Sequence, residues 1–133
     1  MQPYEKLKAW EHSHRLFLAV QAATKKWPRA ERYELTSQVR RAAWSVPANI
    51  VEGAGRLGPR EFRKGLDIAR GSLSELTYGL HVAKELGYLT AEDHATIEPI
   101  RDEASRVLWA LLKAVSARCP KRRESGRKPP QAP

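Results

Sequence analysis

A single cysteine, Cys119, stands in the 133-residue chain, so no intrachain disulfide can staple the fold and no multi-cysteine zinc site can form. No apolar run approaches the roughly 20 residues that a membrane span requires. The opening stretch, MQPYEKLKAWEHSHR, lacks the hydrophobic block and cleavage site of a secretory signal. Together these absences predict a cytoplasmic address and no membrane partner. Acid is scarce relative to base: 15 Asp+Glu against 24 Lys+Arg, a formal charge of +9. With 41% hydrophobic residues the body has material for a core, which excludes wholesale disorder, and the length allows one domain.

The charge is unevenly placed. Residues 118–133 hold six basic side chains (Arg118, Lys121, Arg122, Arg123, Arg127 and Lys128) and one acid, Glu124, for a net +5. The body keeps the remaining +4. From about Ser116 apolar periodicity stops and three prolines follow in KRRESGRKPPQAP, so 118–133 is expected to be a disordered basic tail and 1–117 the folded domain. The tail reads equally as a solvated extension and as an arm that adds salt-dependent affinity for phosphate through Lys121, Arg122 and Arg123.

Proline and glycine divide the body at Pro28, at Gly53 to Pro59, at Gly87 and at Cys119-Pro120. The four stretches between have helical periodicity, and no stretch alternates with period two. In the third, Phe62, Leu66, Ala69, Leu73, Leu76, Leu80 and Ala83 recur at spacings of 4, 3, 4, 3, 4 and 3, a seam suited to bundle packing. Beside it runs a row of Gly65, Ile68, Ser72, Glu75, Gly79, Val82 and Leu86. Gly65, Gly71 and Gly79 each cost about 1 kcal/mol of helix propensity, which predicts close backbone approach. The fourth stretch opens on Thr90 as an N-cap and carries Ile97, Ile100, Ala104, Val107/Leu108, Leu111 and Val115. The first offers Leu7, Trp10, Phe17, Val20 and Thr24, with Leu16 and Leu18 widening the face. The second offers Leu35, Val39, Ala42/Ala43, Val46 and Ile50, with a kink expected at Pro47. Short connections between long helices predict an all-α, up-down-up-down antiparallel four-helix bundle.

No catalytic, cofactor or metal site is expected. A carboxylate-bridged di-metal centre needs two inward Glu-x-x-His pairs, and only Glu11-His12-Ser13-His14 supplies one; His81 and His94 follow Tyr78 and Ala91 at that spacing. Cys119 has no histidine near it in sequence, and Ser45 and Ser72 lack a nucleophile-elbow context. Gly53-Ala54-Gly55-Arg56-Leu57-Gly58 follows a helix rather than a strand and reads as a turn, not a phosphate loop. Glu75, among small residues, must be paired or lie at an interface, with Arg40, Arg41 and Arg56 as the natural partners and Glu52 in a similar role. Trp44 lies off the core stripe on a face with Val51, which marks an interface and a homo-oligomer.

The run Gln38-Val39-Arg40-Arg41-Ala42-Ala43-Trp44-Ser45-Val46-Pro47-Ala48-Asn49-Ile50-Val51-Glu52-Gly53-Ala54-Gly55-Arg56 resembles the signature of a bacterial four-helix-bundle family. Its members are encoded in intervening sequences of large-subunit (23S) ribosomal RNA genes. Glu61-Phe62, Ile68 to Leu76 and Leu86-Gly87-Tyr88-Leu89 match the same pattern in order, so the resemblance covers about residues 5–115. It implies a bundle that assembles into a ring, usually a homopentamer, with no enzymatic activity attached. The accessory variability determinant of diversity-generating retroelements is similar in fold, a basic pentamer that binds reverse transcriptase and nucleic acid. The family hallmarks carried over are Arg41, Asn49, Glu52, Gly53, Arg56 and Glu75, while Trp44 and Val51 stand where the family more often has smaller residues.

The expected function is therefore a non-enzymatic homo-oligomer that engages RNA or DNA, with a reverse transcriptase or ribosomal RNA as a further partner and no small-molecule substrate. Arg56, Arg60, Arg63, Lys64 and Arg70 form the expected basic surface. A structural or protein-interaction module whose charge serves solubility is the alternative.

Overall fold

Each helix ends close to the proline or glycine that marks its boundary in the sequence. The computed structural model describes residues 1–120, and the regular structure there is helical throughout. A 3₁₀ turn, Pro3–Lys6, leads into α1, Lys8–Thr24, and a second, Arg29–Glu31, leads into α2, Leu35–Ala54. α3 spans Pro59–Glu85 and α4 spans Ala91–Arg118. Lys121, Arg122, Arg123 and the expected disordered tail from residue 121 onward lie outside the described residues. None of the described helices is long and apolar enough to cross a membrane.

Local chemistry accounts for the boundaries. The Thr90 side chain accepts a hydrogen bond from the Asp93 backbone N–H at 3.1 Å, the expected N-cap. At the end of α3, Gly87 takes φ +78, a left-handed conformation that costs glycine nothing. The Tyr88 N–H then reaches the Ala83 carbonyl at 2.9 Å and the Gly87 N–H reaches Lys84 at 3.1 Å, the bonding pattern of a Schellman cap. Both α2 and α4 contain a proline yet run through it. Pro47 is buried within α2, and Pro99 lies on the exposed side of α4, as does Ala95, whose carbonyl a proline at this position cannot bond.

α1 packs on α2 and α4, α3 packs on α2 and α4, and the backbones of the diagonal pairs stay farther apart. This is the square, four-helix bundle, with α2 against α3 as its most extensive contact. The α3 seam meets the core as expected: Leu66, Ala69, Leu73, Leu76, Leu80 and Ala83 are buried, and Phe62 is partly so. Leu66 and Leu76 are fully enclosed, each worth about 1.5–3 kcal/mol of transfer free energy. On α4, Leu112 is buried while Leu111 only packs against the core, a shift of one residue from the expected stripe. On α1 the buried row is Ala9, Ser13, Leu16, Val20 and Ala23, and Leu18 is exposed. That face is rotated from the expected one because the larger Trp10 and Phe17 flank the helix contact rather than enter it.

The two ends of the bundle differ. At one, the α1–α2 and α3–α4 connections are tied together: Tyr88 donates from its hydroxyl to Glu31 at 3.0 Å and Lys26 pairs with Asp93 at 3.1 Å. The bond to Glu31, then burial, pushes the Tyr88 phenol above its ordinary pKa. At the other end the α2–α3 turn lies beside Leu7 and the last turn of α4, enclosing a cleft of about 320 Å³ that Arg56, Gly58 and Arg118 help line. The chain therefore reaches Pro120 beside the α2–α3 turn.

Glycine sets the α2–α3 distance. A Cβ on Gly65 would lie 2.7 Å from the Asn49 carbonyl oxygen and 3.0 Å from the Gly53 Cα, and one on Gly79 would lie 2.6 Å from a Val39 methyl. Gly71, expected to share this role, faces open space instead. Gly65→Ala is expected to destabilise the fold by about 1–3 kcal/mol through overpacking. Gly71→Ala should stabilise it by up to about 1 kcal/mol through helix propensity. Urea denaturation of the two variants checks this, and equal shifts in the same direction would contradict it.

Candidate assembly and nucleic-acid surfaces

Small side chains bring α2 and α3 so close that their polar groups must satisfy one another. The Ser45 and Ser72 hydroxyls lie 2.7 Å apart across the contact. Asn49 donates from its side-chain amide to the Ser45 carbonyl at 2.8 Å and to the Ser45 hydroxyl at 2.9 Å. Asn49 and Gly53 are thus parts of the helix contact itself, Asn49 through both its amide and the carbonyl that excludes a Cβ at Gly65. An unpaired polar group at this depth would cost about 1–3 kcal/mol, and each of these three side chains has a partner.

Beyond that contact, α2 and α3 open into a cleft of about 240 Å³ lined by Asn49, Glu52, Arg56, Glu61, Lys64 and Ile68. Its charges balance, two acids against two bases. Glu52 pairs with Arg56 at 3.2 Å, with both side chains mostly exposed. Glu75 is exposed on the single chain, and the pairing expected with Arg40 or Arg41 is not formed there. Arg40 instead donates from Nε to the Thr24 hydroxyl at 2.8 Å, and Arg41 donates to the Ser37 hydroxyl at 3.5 Å. The physical reason is register: α2 meets α3 through Ser45, Asn49 and Gly53, which leaves Arg40 turned toward α1 and Glu75 toward solvent.

Trp44 is 60% exposed, its ring edge-on to Phe17 at 5.7 Å, and Val51 is partly buried nearby on the same helix face. Ile68 is exposed on α3, on the cleft side of the same helix pair. The expected interface residues therefore stand on the outer face of α2, with Trp44 on its α1 side.

Arg60, Arg63, Lys64 and Arg70 are all exposed, and none has a carboxylate within 4 Å among the described residues. They do not form one cluster. Arg56 and Lys64 line the α2–α3 cleft, whereas Arg63 and Arg70, seven residues apart, share the α3 face turned toward α4. Arg70 stacks its guanidinium 4.2 Å from the centre of the Trp109 ring. Trp109 went unnoticed in the sequence, although it lies off the α4 core stripe much as Trp44 lies off that of α2.

A family model described as 23S rRNA-intervening sequence protein matches residues 5–110. The chain belongs to that family. No curated protein matches the chain. The intervening-sequence match takes in α1, α2, α3 and most of α4, and with them every element that builds the α2–α3 contact. It stops before the basic residues Lys121, Arg122 and Arg123.

On α4 of this intervening-sequence protein, Arg101 donates to Glu98 from Nε at 2.9 Å and again from Nη2. These bonds hold the Glu98 carboxyl below its ordinary pKa and push the Arg101 guanidinium up. A carboxylate depressed in the folded state contributes stability above its unfolded pKa, and that contribution is lost as pH falls through the folded value. The stability difference between the wild type and Glu98→Gln should therefore be present at pH 7, at up to about 1 kcal/mol for this partly exposed pair, and vanish in the acid range below ordinary carboxylate titration. Denaturation at a series of pH values measures it, and a difference independent of pH would contradict the assignment.

Proposed function

We propose that this chain is a non-enzymatic homo-oligomer, a ring of five being the form the sequence resemblance implies, that engages RNA or DNA through a basic surface. The observation that carries the reading is the set of exposed cations without carboxylate partners, Arg60, Arg63, Lys64 and Arg70, on a chain of net charge +9. A surface of this kind gains its affinity for phosphate by releasing condensed counterions.

Assembly strengthens the argument. Trp44, exposed beside Phe17 on the outer face of α2, and Ile68, exposed on α3, leave apolar surface of the kind that a second copy covers. Glu75 on α3 and Arg41 on α2 are both exposed, and pairing across a subunit boundary would give each a partner of opposite charge. Five bodies of +4 each would gather about +20 on one particle before any contribution from residues 118–133. A reverse transcriptase or the ribosomal RNA itself is the further partner that this reading accommodates.

Solution mass and a salt titration test the proposal together. The full chain is expected to sediment as an oligomer, and Trp44→Ala to shift it toward monomer while leaving the bundle folded. Affinity for generic RNA or duplex DNA should fall linearly in log–log form with salt, with a slope reduced by about 0.7–0.9 for each of Arg60, Arg63 and Lys64 changed to alanine. No affinity at low salt for either nucleic acid would overturn the nucleic-acid role and leave a structural or protein-interaction module. A monomer at all concentrations would overturn the ring.

A further inference from the structure

The side of the molecule formed by α3 and α4 differs from the α2–α3 wall. Larger side chains separate these helices and leave a groove. Its wider part, about 530 Å³, lies among Arg70, Ser74, Thr77, Arg101, Arg106 and Trp109. That volume is within the ~300–1,000 Å³ typical of ligand clefts. Thr77 and Arg101 also line a second space of about 240 Å³, reached farther along the same two helices, where His81, Lys84 and His94 project. The groove therefore runs along much of the α3–α4 seam rather than forming an isolated pocket.

Its charges are not equivalent. Arg101 is engaged by Glu98, and Arg106 by Glu103 and, at 3.6 Å, Asp102. Arg70 and Lys113 have no carboxylate within 4 Å among the described residues, and both are drawn to the indole of Trp109, at 4.2 and 5.6 Å from its centre. Trp109 itself is 43% exposed. An exposed indole with two uncompensated cations lying over its ring, set in an open groove with serine and threonine hydroxyls, matches the two things an unpaired nucleotide presents, a π-face and a phosphate, provided that the Arg70 guanidinium moves off the ring to the phosphate as the base takes its place. A duplex keeps its bases stacked inward and offers the indole no free face.

We propose that the α3–α4 groove seats single-stranded nucleic acid, with an unpaired base stacking on Trp109 and the adjoining phosphates meeting Arg70 and Lys113. This rests on the nucleic-acid reading above and assigns it a second contact, on a different side of the bundle from the α2–α3 turn. The strand runs along the groove toward Lys84, and the Ser74 and Ser105 hydroxyls lie within the part nearest the stacked base.

The test uses the full chain with a short fluorescein-labelled oligouridine and, separately, a labelled RNA duplex, read by anisotropy at fixed salt. Trp109→Ala is expected to weaken oligouridine binding about 5- to 150-fold, as the loss of one stacked base does, and to leave duplex binding unchanged. Trp109→Phe should restore most of the lost affinity, and unfolding midpoints of both variants show that the bundle is intact. Arg70→Ala and Lys113→Ala should each lower the salt slope for oligouridine by about 0.7. Equal effects of Trp109→Ala on single strand and duplex, or none on either, would overturn the groove. If in that case Arg60→Ala, Arg63→Ala and Lys64→Ala still abolish binding, the basic-surface proposal survives without it. Wild-type chain that binds neither probe at low salt would overturn both.

Discussion

The backbone-to-backbone contact of α2 with α3 is the constraint from which the rest of the molecule follows. With no side chain at Gly65 the Asn49 carbonyl fits where a Cβ would stand 2.7 Å away, and with none at Gly79 a Val39 methyl does the same. Two helices held this closely have no room for large residues between them. Serine and asparagine fill the remaining positions and bond to one another, at 2.7 Å between Ser45 and Ser72. The larger apolar side chains are displaced to either side. Leu66, Leu76, Val46 and Ile50 turn inward and make the core, while Trp44 and Ile68 turn outward and remain exposed. The packed interior and these exposed apolar residues are consequences of the same close approach.

α3 meets its other neighbour differently. Leu73 and Leu108 are buried between α3 and α4, and the bulk of such side chains keeps the helices apart along their outer edge, where Arg70 lies over Trp109. One helix thus carries two kinds of surface. Its α2 side is a tight, small-residue joint, and its α4 side is a groove of cations and an aromatic ring. Membership in the 23S rRNA-intervening sequence protein family covers both sides, since the match extends from residue 5 to 110. The net charge is therefore informative chiefly through its placement. The α2–α3 cleft balances Glu52 and Glu61 against Arg56 and Lys64, while Arg63 and Arg70 project unopposed on the opposite flank of α3.

Much of this was legible in the residues, for definable reasons. The α3 seam could be read because every position obeys a 4-3 spacing, while the row beside it is broken by Gly65, Ser72, Glu75 and Gly79. The Thr90 cap and the glycine at the end of α3 were legible because both act within a single turn. Other features depend on partners far away in sequence. Gly65, Gly71 and Gly79 look alike along the chain, and only the placement of Val39 and Asn49 on α2 separates the two that are crowded from Gly71, which is open. The pairing of Glu75 with Arg40 was chemically reasonable, yet it depended on a register that places Arg40 against Thr24 at 2.8 Å. α1 is apolar at 16, 17 and 18, so periodicity alone could not choose its core face, and the choice fell to what α2 and α4 could accommodate. Trp109 escaped notice because it adjoins Leu108, and its role appears only when α3 brings Arg70 across to it.

If the α2–α3 joint organises the fold, it should also be the last part to open. Native-state amide hydrogen exchange, read residue by residue, measures this directly. The slowest amides are expected in Ala42–Gly53 of α2 and Leu66–Leu80 of α3, exchanging only through global unfolding, with α4 opening at lower free energy along its groove-facing side. Slowest exchange in α1 and α4, or independent opening of α2 from α3, would contradict the account.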